Sequence, residues 1–99
     1  MTLSDVQDRI KQQMLFEDIW IVILEPNKDV GPESNLLIFG GPHQEMIRQF
    51  DPPVTKGGYW DGWVNFWVRD GKIFAGSWSG YQFELDTKKR ELINGLFTK

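Results

Sequence analysis

The side chains in this chain that could carry out covalent or metal chemistry are few. Its 99 residues include one histidine, His43, and no cysteine. This excludes a thiolate metal site, a disulfide framework and every site that needs two histidines. None of Ser34, Ser77 and Ser79 lies in the sequence context of a nucleophile elbow. We therefore expect His43 to be an exposed turn residue that follows a Gly-Gly-Pro turn, and not part of a catalytic triad.

Carboxylates offer the remaining route to an enzyme. Pairs such as Asp61 with Asp70, or Glu84 with Asp86, could act as general acid and base if a cleft brought them together, but their spacing does not predict such a cleft. The Gly-Gly-Pro turn before His43 lacks the Lys-Ser/Thr of a P-loop, and its proline removes a backbone donor. The sequence therefore predicts a protein that is not an enzyme and has no cofactor and no metal site.

Charge is divided unevenly along the chain. Residues 1–51 carry nine acidic and four basic side chains, a net charge of −5, while the remainder carries +2, so that the total is −3. Five of the acids fall in predicted loops after the two early strands: Glu25, Asp29, Glu33, Glu45 and Asp51. Together they could form one negative surface that binds a basic partner, although ordinary solvation of loops explains them as well.

Tryptophan is concentrated in one stretch, residues 58–83, which holds four of the five tryptophans. Two alternating runs, Trp63–Arg69 and Lys72–Trp78, flank Asp70-Gly71, the typical signal of a two-residue hairpin. Counting outwards from that turn predicts an aromatic face made of Trp63, Trp67, Phe74 and Trp78. The opposite face then carries Val64, Phe66, Val68, Ile73 and Ala75. Neither face is polar, so both need cover.

The aromatic face has two interpretations. Large rings can form the core of a small domain, or they can form a platform that binds a sugar ring, a proline-rich peptide or bases. Few basic residues are interleaved with the rings, so we expect no nucleic acid partner. A small-ligand or carbohydrate-binding domain that uses the aromatic sheet face therefore remains the alternative function. In a protein interface, Trp60 or Trp63 would be the aromatic anchor.

The elements that position these residues are predicted as one helix followed by strands. Ser4 and Gln7 match a capping box, so a helix is expected from Ser4 to about Leu15. The fully apolar run Ile19–Leu24 predicts a central strand with Leu36–Phe39 as its hairpin partner. Further strands are expected at 81–86 and 91–97. The predicted fold is a single α+β domain spanning residues 1–99, in which the N-terminal helix packs on a five- or six-stranded, mostly antiparallel meander sheet.

No targeting segment is expected at the start of the chain, because Met1 is followed by polar residues and not by a cationic and then a long apolar segment. The longest apolar run, Ile19–Leu24, is too short to span a membrane. We expect a cytoplasmic protein with no membrane partner.

The C-terminal third resembles a known class of proteins. Residues 77–86, SWSGYQFELD, followed by a charged turn and the ending Phe97-Thr98-Lys99, resemble the corresponding part of small bacterial immunity proteins, which are encoded beside polymorphic or contact-dependent growth inhibition toxins. The resemblance covers less than a third of the chain and includes no catalytic motif. It implies a cytoplasmic protein that binds and blocks one toxin domain, and a basic toxin such as a nuclease would suit the acidic loops.

Overall fold

The computed structural model describes residues 1–27, 29, 31–54 and 60–98. Within these residues a 3₁₀ helix, Leu3–Arg9, is followed by eight strands. The strands are β1 (Ile10–Phe16), β2 (Ile19–Leu24), β3 (Leu36–Gly40), β4 (Glu45–Phe50), β5 (Trp63–Arg69), β6 (Lys72–Ser77), β7 (Tyr81–Asp86) and β8 (Glu91–Phe97).

The α+β prediction of a helix on one meander sheet is wrong, because the protein is mostly β. The strands form two antiparallel four-stranded sheets, with the orders β1-β2-β3-β4 and β5-β6-β7-β8. The predicted central strand is confirmed: β2 lies between β1 and β3 and is buried at all but one position. The predicted loop that begins at Asp51 separates the two sheets, and its residues 55–59 lie outside the described ones.

The long N-terminal helix is also wrong, since only Leu3–Arg9 is helical and the chain becomes strand β1 at Ile10. Val6, Ile10 and Met14 follow a helical spacing, but from Ile10 onwards burial alternates at every second residue, which is the period of a strand. Strand β1 forms its backbone hydrogen bonds with the edge of β2. A short isolated helix would be less stable than this pairing.

The helix cap lies two residues earlier than the capping-box prediction. The Thr2 backbone N–H donates to the Asp5 carboxylate at 2.8 Å, and the Asp5 N–H donates to the Thr2 carbonyl at 3.1 Å. The hydrogen bond from the Thr2 backbone lowers the pKa of Asp5 below its usual value. The cap therefore involves Thr2 and Asp5 in place of Ser4 and Gln7.

Two apolar clusters hold the layers together. The larger cluster lies between the sheets and includes Ile21, Ile38 and Phe50 from the first sheet and Trp63, Phe66 and Ile73 from the second. The smaller cluster covers the outer face of the first sheet, where Leu3 and Val6 of the 3₁₀ helix pack on Val22, Leu37 and Phe39. A buried side chain of this size stabilises the fold by about 1.5–3 kcal/mol. The order of layers is therefore helix, first sheet, second sheet.

The tryptophan hairpin forms as predicted near its turn and departs from the prediction at its far end. Pairing runs from Arg69 opposite Lys72 to Asn65 opposite Gly76, as expected. A bulge at Val64 then places Trp63 opposite Ser77 and not opposite Trp78. Because one extra residue reverses the facing of everything beyond it, Trp63 turns into the core and leaves the aromatic face.

The strand connections divide the molecule into two ends. The hairpin end carries the four tight turns, at residues 17–18, 41–44, 70–71 and 87–90. Phe16, Lys72 and Lys88 line one shallow depression there, which shows that the turns of both sheets lie together. The loop end carries the described residues of segments 25–35 and 51–62 and the turn 78–80.

Candidate partner-binding surface

The acidic residues predicted to form one surface are divided between the two ends. Glu25, Asp29 and Glu33 lie between β2 and β3, and Asp51 follows β4, so these four are at the loop end. Glu45 begins β4 at the hairpin end. Five residue steps along a strand separate Glu45 from the end of β4, a distance of about 17 Å. The structure brings together four of the five acids and leaves Glu45 apart. We name the four, Glu25, Asp29, Glu33 and Asp51, the acidic group.

The members of the acidic group differ in exposure. Glu25, Asp29 and Asp51 are exposed, and Asp51 accepts a hydrogen bond from the Ser34 hydroxyl at 2.6 Å. Glu33 is mostly covered: its carboxylate accepts the Asn27 backbone N–H and lies 3.9 Å from the Arg9 guanidinium. Three exposed carboxylates and the mostly covered carboxylate of Glu33 therefore surround the loop end, with Arg9 as a neighbouring base.

A buried carboxylate, Asp61, joins the loop end into one unit. One oxygen accepts the backbone N–H groups of Gly62 and Ser79, each at 2.9 Å. The other accepts the Ser79 hydroxyl at 2.8 Å and the Val54 backbone N–H at 3.0 Å. A carboxylate can accept all of these donors at once, which compensates for its removal from water.

The same residue connects the acidic group to the aromatic residues. The Asp61 carbonyl accepts the Glu33 backbone N–H at 3.0 Å. On its other side, Trp60 packs against Trp78 edge to face, with ring centroids 6.0 Å apart. The Trp78 backbone N–H donates to the Gly62 carbonyl at 2.8 Å, which holds this pair beside Asp61.

Glycine at position 62 is needed for this arrangement. A Cβ built on Gly62 would lie 2.7 Å from the Trp60 ring, so the ring packs closely against the backbone there. Trp60 is half-buried by this contact, while Trp78 is 48% exposed. The two rings thus offer an aromatic surface next to the acidic group.

Of the two predicted anchors, Trp60 lies at this surface and Trp63 does not. Trp63 is fully buried, and its indole N–H donates to the Phe50 carbonyl at 3.1 Å. The sequence interpretation missed Trp78 because it assigned this residue to the aromatic strand face. A clue was present in the sequence, because Gly80 follows two residues later and glycine favours turns. In the structure Gly80 adopts a φ of 101°, and the strand ends in a turn there.

His43 lies apart from the serine and carboxylate side chains that were considered with it for catalysis. His43 is exposed in the turn 41–44 at the hairpin end, whereas Asp61 and Ser79 lie at the loop end. Within the described ranges, no three side chains of the metal-ligating types cluster. The same residues include no helix that is both long and apolar enough to cross a membrane.

Comparisons of the chain with protein-family models, with curated proteins and with solved structures give no match.

Proposed function

We propose that this chain is a non-catalytic, cytoplasmic immunity protein that binds and blocks a basic toxin domain, such as a nuclease, through its loop end. One observation carries the proposal: the backbone bond from Glu33 to Asp61 joins the segment that bears three members of the acidic group to the residue that follows Trp60, whose ring packs on Trp78. Aromatic anchors beside a charged rim are the arrangement that tight protein interfaces use.

The electrostatics of the loop end favour a basic partner. In the sequence, segments 25–35 and 51–62 hold five acidic residues and two lysines, and with the nearby Arg9 their net charge is −2. Such a surface accelerates the encounter with a positive protein, and the effect weakens as salt screens the charges. The exposed ring of Trp78 would then be desolvated in the complex and would slow dissociation.

Hydrogen bonds to Asp61 order the described residues around it before any partner binds. Asp61 bonds to Glu33, Val54 and Ser79, which lie in three different connections between strands. A preorganised surface avoids part of the entropy cost of ordering loops on binding.

A charge-matched pair of variants tests the proposal. The tagged chain is first used to capture its partner from native lysate, and association kinetics are then measured with the purified partner at low and high salt. The loop variant neutralises the acidic group with E25Q, D29N, E33Q and D51N. The control variant neutralises four acids at the hairpin end with E17Q, D18N, E45Q and D70N, so its net charge is the same.

We expect the loop variant to associate about tenfold more slowly and to lose most of its salt dependence, with the control close to wild type. Trp78→Ala should mainly raise the dissociation rate. Equal effects of the two quadruple variants would show that only net charge matters and would contradict a site at the loop end. Growth protection in cells that express the partner tests the neutralising role separately: wild type should protect, and the loop variant should protect less.

A further inference from the structure

The outer face of the second sheet differs from every other sheet face in the described part of the protein. The outer face of the first sheet is covered by the 3₁₀ helix, and the two inner faces form the shared core. On the second sheet, alternation directs Trp67 and Phe74 away from the core residues Phe66, Ile73 and Ala75. Both side chains are half-buried.

Strand register arranges this face in neighbouring rows. One row contains Trp67, Phe74 and Glu84 as successive cross-strand partners on β5, β6 and β7. The next row, nearer the loop end, contains Asn65, Gly76 and Gln82 in the same order. An aromatic row therefore lies beside a row with two amide side chains and a glycine between them.

Gly76 makes room for the Trp67 side chain on the outer face. A Cβ at Gly76 would come within 3.3 Å of the Trp67 ring and 3.0 Å of the Asn65 side-chain oxygen. The six-membered ring of the indole therefore lies close to the glycine, beside the Asn65 amide, and the half-buried side chain stays partly accessible to solvent. Phe74 continues the surface, because its ring is within 20° of parallel to the indole at a centroid distance of 6.1 Å.

The charged residues of this face contact partners on the same face. The Lys72 ammonium lies 3.9 Å from the Glu84 carboxylate, which also accepts the Asn94 side-chain amide at 3.4 Å. The Arg69 guanidinium lies 5.1 Å from the centre of the Phe74 ring, a cation–π contact. Among the described residues, this face carries no cluster of unpaired cations, so it does not suit a phosphate or a nucleic acid.

We propose that this face binds the neutral pyranose rings of an oligosaccharide. A sugar ring has a flat apolar side that stacks on an aromatic face, and hydroxyl groups at its rim that need both donors and acceptors. Trp67 supplies the stacking surface. The amides of Asn65 and Gln82 supply donors and acceptors, and the Glu84 carboxylate supplies a strong acceptor. This site lies away from the loop end and does not depend on the proposed toxin partner.

The test is an NMR titration of the isotope-labelled full chain. The probes are three neutral hexasaccharides, made of β-linked glucose, α-linked glucose and β-linked N-acetylglucosamine, each raised to about 10 mM, above the millimolar Kd of a weak open site. At least one should shift the Trp67 indole N–H and the side-chain amides of Asn65 and Gln82. The Trp63 indole, in the core, should not move.

Variants then assign the site. Trp67→Ala should weaken binding by about tenfold or more, as loss of a stacking ring does elsewhere. If Trp67→Ala perturbs the fold, Gln82→Leu replaces it as the test variant. Gln82→Leu keeps the size of the side chain and should weaken binding severalfold. Trp78→Ala removes an exposed ring at the loop end and should bind like wild type.

Two results would overturn the proposal: no shift with any of the three hexasaccharides, or binding that survives Trp67→Ala and is lost in Trp78→Ala. The loop variant defined above should bind sugar normally, so failure here and failure of the toxin-binding proposal are distinguishable.

Discussion

At the residue scale, the buried polar side chains determine how the loop end is built. The Asp61 carboxylate accepts four hydrogen bonds from two segments, 51–62 and the turn 78–80, and Asn35 plays a similar part between the sheets. The Asn35 amide donates to the carbonyls of Leu24 and Trp63 and accepts the Trp63 N–H at 2.7 Å. A buried carboxylate or amide is stable only because these partners replace water.

The first prediction concerns Asp61. In Asp61→Asn one carboxylate oxygen becomes an NH₂ group, which cannot accept the bond from the Val54 backbone N–H. A buried donor left without its acceptor should cost about 1–3 kcal/mol of the free energy of unfolding. Urea unfolding followed by tryptophan fluorescence measures the change.

The matched control for that prediction is Asp86→Asn, which makes the same chemical change at the end of β7, next to a turn. Asp86 accepts the exposed backbone N–H groups of Lys88 and Lys89, which water can also satisfy. Asp86→Asn should therefore lower the free energy of unfolding by less than Asp61→Asn does. If Asp61→Asn were no more destabilising than Asp86→Asn, the central role of Asp61 in the loop end would be wrong.

At the element scale, the edges of the two sheets are joined by side chains. Gln12 on β1 donates its amide to the Phe66 carbonyl at 2.6 Å and accepts the Phe66 N–H at 2.9 Å, so its side chain pairs with the free edge of β5 as a strand would. Lys11 donates to the Val64 carbonyl at 2.9 Å. At the other side, Arg48 on β4 donates to the Arg90 carbonyl at 3.3 Å. These bonds protect edges that could otherwise pair with other chains.

The second prediction concerns this edge contact. Gln12→Ala should leave the Phe66 N–H without its acceptor, destabilise the protein by about 1–2 kcal/mol and speed exchange of the Phe66 amide hydrogen. Hydrogen exchange measured by NMR reports this one amide. The control is Gln13→Ala, because Gln13 is the next residue of β1 and is exposed. Equal exchange rates at Phe66 in both variants would show that Gln12 does not protect the β5 edge.

At the scale of the whole molecule, both sheets contribute to one apolar cluster, and Trp63 lies where they meet. It is fully buried, packs edge to face on Phe83 with centroids 5.8 Å apart, and bonds to the first sheet through Phe50. Since neither sheet can bury its inner face without the other, we expect them to unfold together.

The third prediction tests that cooperativity. Trp63→Phe leaves the Phe50 carbonyl without its donor and opens a cavity, so the free energy of unfolding should fall by about 2–3 kcal/mol. Hydrogen exchange should accelerate in β2 and in β7 to the same extent, although these strands belong to different sheets. Trp78→Phe changes an exposed ring, so it should alter neither the free energy of unfolding nor the hydrogen exchange of β2 and β7. Faster exchange confined to the second sheet would show that the sheets unfold independently.

The sequence alone determined the features that depend on local pattern. The Asp70-Gly71 turn, the register beside it and the buried strand β2 follow from turn chemistry and from hydrophobic periodicity, which act over a few residues. The separation of charge along the chain was also readable, and it includes the four acids of the loop end.

Only the tertiary structure decided the rest, because those features depend on partners distant in the chain. Residues 10–16 became a strand because β2 offered them an edge, and the bulge at Val64 moved Trp63 from the aromatic face into the core. Asp61 joined the acidic group to the Trp60–Trp78 pair through bonds that span as many as 28 positions. A local pattern carries no information about such contacts, since the free energy that selects them comes from burying the whole chain at once.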